Sequence, residues 1–95
     1  MRGQRFTNWH KVMNTTIFIL KVSNQNEDGS YDYVKVAGAF SKFEDAMAKA
    51  AEKRERMKLE WDAYKLGKHN DSTIWIQNTE LGIRKWYEII EMAVK

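Results

Sequence analysis

The sequence predicts an α+β fold: an antiparallel sheet of three to four strands with one long helix packed on one face, in the order ββαβ followed by a last element that is strand or helix. Three observations predict it. Two strand-like runs flank the turn Asn26-Glu27-Asp28-Gly29-Ser30, a helical apolar stripe follows directly, and another β-rich run comes after that stripe. These elements fall in 15–95 as one domain, behind an arm over 1–14 that mixes Arg2, Arg5 and Lys11 with Phe6, Trp9 and His10.

Thr15 to Ser23 reads as the first strand, because Thr, Ile, Phe and Val fit a pleated surface. Phe18, Leu20 and Val22 share one face, and Ile17, Ile19 and Lys21 the other. Two partly apolar faces place this strand inside the sheet. Asn24 to Ser30 is the hairpin connection, with Gly29 supplying positive φ. Tyr31 to Phe40 returns antiparallel, alternation putting Val34, Val36 and Phe40 on one side and Tyr31, Tyr33 and Lys35 on the other. Gly38 and Ala39 point to a bulge or a close helix approach.

Ser41-Lys42-Phe43-Glu44 has the form of a capping box, so a helix is expected to open at Ser41. Phe43, Ala46, Met47, Ala50, Met57, Trp61 and Tyr64 recur at three- and four-residue steps and give one apolar stripe. Gly67, between Leu66 and Lys68, is the expected stop. An unbroken helix over 42–66 would be about 37 Å long and would overhang the sheet, a kink near the charged EKRER segment or two successive helices being the alternatives. Thr73 to Leu81 reads as a third strand, with Ile74 and Ile76 on one face and Trp75, Gln77 and Thr79 on the other. Ile83 to Lys95 fits a strand with Trp86, Ile90, Met92 and Val94 on one side, which its β-branched and aromatic content favours. It also fits a helix grouping Ile83, Trp86, Tyr87, Ile90 and Val94.

Composition limits the function classes. With no Cys there is neither a disulfide framework nor a thiolate metal site, which fits a reducing, cytoplasmic setting. The +3 net charge belongs wholly to residues 1–12, so the rest of the chain is neutral and the basic isoelectric point does not describe a basic binding face. No apolar run approaches the length of a membrane span, and the N-terminus has no export-type hydrophobic region.

No catalytic constellation is visible. His10 and His69 have no ligand-spaced companions, the carboxylates interleave with Lys and Arg along the helix, and the glycines are isolated, so no catalytic, metal or cofactor site is expected. The chain reads as non-enzymatic, with two candidate binding surfaces. One is the far half of the helix, where Arg54, Met57, Lys58, Trp61, Tyr64 and Lys65 combine large apolar groups with cations of the kind that anchor protein interfaces. The other is the sheet face away from the helix. If Val34 and Val36 lie under the helix, Tyr31, Tyr33 and Lys35 point outward with Lys21 and Trp75. Together with Arg2, Arg5 and Lys11 they would suit single-stranded nucleic acid. Covering of these rings by the arm or by the C-terminal segment is the plainer alternative.

The run from Ile17 to Ala50 (IFILKVSN, then DGSYDYVKVAGAFSKFEDAMAKA) resembles small ββα-type proteins of phages and mobile elements, in which a hairpin ends in a G-x-F-S junction and a helix with E-x-A follows. The long EKRERMKLEWDAYK extension and the basic arm depart from that pattern. The resemblance implies a protein that binds a host protein and modulates or inhibits it, CRISPR effectors and other defence proteins included. It carries over no functional residues. The leading expectation is therefore host-protein binding through the Trp61/Tyr64 region, with single-stranded nucleic-acid binding as the alternative.

Overall fold

Among the described residues, five antiparallel strands form one sheet in the order β2-β1-β5-β4-β3, and one helix crosses one face of it. These elements come from a computed structural model that describes residues 15–94; the arm over 1–14, with Arg2, Arg5 and Lys11, lies outside the described residues. The strands are β1 (Thr15–Gln25), β2 (Tyr31–Phe40), β3 (Tyr64–Asn70), β4 (Thr73–Asn78) and β5 (Arg84–Val94), and the helix is α1 (Phe43–Glu60). The fold is thus a sheet-dominated α+β arrangement, and the expected count of three to four strands is corrected to five.

The fifth strand lies where the helical stripe was expected to continue. Trp61 adopts φ −110° and ψ 130°, and its amide donates to the Met57 carbonyl as the last helical bond. Tyr64 to Asn70 then runs extended against β4, with Leu66 opposite Ile76 and Gly67 opposite Trp75. Trp61 and Tyr64 fall at a helical spacing from Met57, so the apolar period alone does not reveal the change of backbone. The helix is therefore 18 residues, about 27 Å at 1.5 Å per residue. It contacts β1, β2, β4 and β5 and ends at Glu60, so residues 61–66 do not prolong it. Its entry also differs from the expected capping box. Lys42, not Ser41, is the N-cap, and no side chain bonds the first turn, which Glu44 and Asp45 favour through their charge.

β1 is interior, paired to β2 on one side and β5 on the other, as its two-sided apolar pattern predicts. The C-terminal segment is the strand β5, paired with both β1 and β4. Leu20 and Val22 of β1, Ile74 and Ile76 of β4, and Tyr87 and Ile89 of β5 are buried under Ala46 and Ala50 of α1. The two alanines let the helix backbone approach closely, and Phe18, Phe40, Phe43, Met47, Met57 and Trp61 close the margins of this core.

β2 carries two irregularities that decide which side chains face the helix. Leu20 pairs with Gly38 but Lys21 with Val36, leaving Ala37 as an extra residue; Asn24 pairs with Tyr33 but Gln25 with Tyr31, leaving Asp32 as a second. Each extra residue inverts the alternation. Phe40 faces the helix as expected, whereas Val34 and Val36 face away from it and Tyr33 and Lys35 lie on the helix side. The expected placement of those four residues is reversed, because strict alternation does not survive a bulge.

The turns are fixed by side chains. Gly29 (φ 93°) closes the first hairpin, where the Asp28 carboxylate accepts from the Ser30 amide and hydroxyl at 2.9 and 2.6 Å. These bonds, the hydroxyl first, hold the Asp28 pKa below its ordinary value. Asn70 repeats the arrangement on Ser72 between β3 and β4. Between β4 and β5, the buried Asn78 accepts from the amides of Glu80 and Leu81, both at 2.9 Å.

Candidate interaction face

Strand alternation places every second residue of β1, β4 and β5 on the face that α1 leaves uncovered. This open face has two zones. Toward the β1–β2 hairpin, cross-strand neighbours Trp75 and Trp86 stand at 6.5 Å between ring centroids. The Arg84 guanidinium sits 3.8 Å over the Trp75 ring and 5.2 Å from Trp86, while its nitrogens donate to the side-chain Oε1 of Gln77. A guanidinium fixed at one edge by hydrogen bonds and on one face by an indole is stiff as well as attractive. Trp86 is held in turn by donating its indole N–H to Gln25 at 2.9 Å and by the edge of His69 at 6.0 Å.

A shallow groove of about 530 Å³ runs beside this stack, bounded by Tyr31, Val34, His69 and Trp86, with Lys21 and Glu88 paired at 3.2 Å on its floor. That pair is partly solvated and contributes little to stability. Toward the other end of the strands the face turns aliphatic. Ile17 opposes Met92 and Ile19 opposes Ile90, with Val36 beside Lys21.

The sequence-predicted site residues divide between the two sides of the sheet. Arg54 is half-buried and donates to the carbonyls of Gly67 and Trp75 at 3.1 and 3.4 Å, so it ties the helix to β3 and β4. Met57 and Trp61 pack against the core. Lys58 is held by Glu55 at 3.2 Å and approaches the Tyr64 ring at 6.0 Å. Tyr64 and Lys65 lie on β3, and alternation sends their side chains to opposite faces. Lys65 is therefore separated by the sheet from the other five, of which Arg54, Met57, Lys58 and Trp61 are part-buried. Of the nucleic-acid set, Lys21, Tyr31 and Trp75 share the open face, whereas Tyr33 and Lys35 are on the other side. Sequence reasoning passed over Arg84, His69, Val34 and Val36 for this face. The alternation of β5 carried the signal for Arg84, two residues before Trp86.

Among the described residues, no group of three His, Asp or Glu side chains is placed to hold a metal ion. No helix among them is long and apolar enough to cross a membrane. The comparisons with protein-family models, curated proteins and solved structures found no match to the chain.

Proposed function

We infer that the chain is a non-enzymatic interaction module that holds a protein partner against the face of its sheet opposite α1. The observation that supports this most is the exposure of large side chains there: Tyr31, Val34, Val36 and Met92 are 54, 55, 66 and 50% exposed, beside the stiff Trp75–Arg84–Trp86 stack. Soluble monomers seldom leave a contiguous apolar surface of this kind in water, and Trp, Tyr, Arg and Met are the residues that most often anchor protein interfaces. A host protein, modulated or inhibited by the contact, is the partner that the Ile17–Ala50 resemblance implies. Single-stranded nucleic acid has less support, since Arg84 already covers Trp75 and the chain beyond residues 1–12 is neutral.

The test is site-specific photocrosslinking in the native cell with the photoreactive residue at Val36 or Met92, and at Leu59, 88% exposed on the helix, as the control. The proposal expects one discrete protein adduct from Val36 and Met92, abolished by Tyr31→Ala with the fold intact by circular dichroism. Adducts equally abundant from Leu59, or only nucleic acid recovered, overturn it.

A further inference from the structure

On the opposite side of the sheet, where α1 passes over β1 and β5 beside β2, four cations from three elements converge on one groove: Lys35 from β2, Lys53 and Arg56 from α1, and Lys85 from β5. The groove holds about 160 Å³ and is floored by Val22, Met57 and Tyr87. Tyr33 stands among the charges. Its hydroxyl accepts from Lys85 Nζ at 2.7 Å, and its ring centroid is 5.4 Å from Lys85 Nζ and 5.8 Å from Lys35 Nζ.

The balance of charge in this groove is uneven. Arg56 has Glu52 at 3.2 Å on the solvent side of the helix. Among the described residues, Lys35, Lys53 and Lys85 have no carboxylate within ion-pair distance, and none lines the groove. Outside the groove, among the described residues, Lys21, Lys49, Lys58 and Lys68 are each paired with a carboxylate, whereas Lys42 and Lys65 stand singly and apart from the cations of the groove. Like charges gathered over an apolar floor repel one another more than they would in open water, because the local dielectric is lower. An anion at the centre turns that repulsion into attraction, and a tetrahedral oxyanion matches it best, with several oxygens to accept from ammonium, guanidinium and phenol donors arriving from different directions.

We propose that the groove bounded by Tyr33, Lys35, Lys53, Arg56 and Lys85 is a binding site for a phosphoryl group. Its volume suits a single phosphate or the phosphorylated end of a small molecule. The site lies on the face away from the proposed protein interface, so the two are tested independently.

Inorganic phosphate, pyrophosphate and chloride are titrated at constant ionic strength into the 15N-labelled full chain, with amide shifts as the readout. Phosphate and pyrophosphate are expected to move the amides of Tyr33, Lys53, Met57 and Lys85 in a saturable way, and to raise the thermal midpoint as any ligand selective for the folded state does. Chloride is expected to do neither. The double variant Lys35→Gln/Lys85→Gln is expected to weaken phosphate binding at least tenfold while keeping the wild-type spectrum outside the groove; Lys42→Gln, at the helix N-cap, leaves binding unchanged. Phosphate without pyrophosphate identifies a free-ion site, and tighter pyrophosphate identifies a phosphorylated ligand; both support the proposal. Non-saturable shifts spread over all lysines, or a double variant that binds as the wild type does, overturn it.

Discussion

The indole of Trp75 lies across Gly67, in the space that any side chain at position 67 would need: a Cβ built there would stand 2.7 Å from Trp75 Cη2. The two residues are direct partners in the β3–β4 ladder, and a glycine in a strand otherwise lowers its stability. Here the ring covers the bare backbone of an edge strand and recovers part of that loss.

Gly67→Ala is therefore expected to lower stability by about 1–3 kcal/mol, the usual cost of forcing extra volume into a filled site. The same substitution in a Trp75→Leu background should cost much less. Urea midpoints for the four variants of this cycle measure the coupling, and additive effects would show that the ring does not press on position 67.

Tyr87 is 1% exposed, and burial pushes its phenol well above the ordinary value of 10.0, with Tyr33 adding to the shift and Arg54 opposing it. The unfolded chain therefore loses this proton at a lower pH than the folded one. The neutral form's contribution to stability is complete below pH 10 and declines as pH rises above it toward the folded-state value. Denaturation midpoints between pH 9 and 11 should fall with pH, and Tyr87→Phe should flatten that dependence.

Trp61 closes the margin of the core where α1 gives way to β3. Trp61→Ala should cost about 2–4 kcal/mol, somewhat less than truncating a fully enclosed aromatic residue. Partner binding should survive wherever the variant is still folded. A loss of binding at unchanged stability would return the interface to this end of the helix.

Arg84 links Gln77, Trp75 and Trp86. Arg84→Lys keeps the charge but gives up the planar stack and the fork of donors, so a loss of about 0.5–2 kcal/mol is expected. Tryptophan emission should broaden and shift to the red as Trp75 gains water. An unchanged emission spectrum would mean that the guanidinium does not shield the ring.

Much of the framework was legible in the chain. β-branched alternation marked β1 and β4, Gly29 marked the hairpin, and the Ala46–Ala50 step marked the buried stripe of α1, while the segment that forms β5 fitted a strand and a helix alike. What could not be read was governed by contacts distant in sequence. Tyr64–Asn70 is rich in polar residues and becomes a strand because β4 offers it a ladder, while Trp61 and Tyr64 happen to prolong the helical rhythm. The open face was misread for a related reason. Ala37 and Asp32 are extra residues only relative to β1, and no pattern within β2 announces which way Tyr33 or Val34 will turn. The partners Trp86 and Arg84 stand far along the chain from Gln25 and Tyr31, so their meeting depends on the order of strands rather than on any local motif.

The extra residues at Ala37 and Asp32 lie in β2, which is an outermost strand. A bulged border breaks the regular row of free amides and carbonyls that a neighbouring chain would need to zip alongside it. Growth of the sheet into a fibril by adding strands at that side is thereby discouraged.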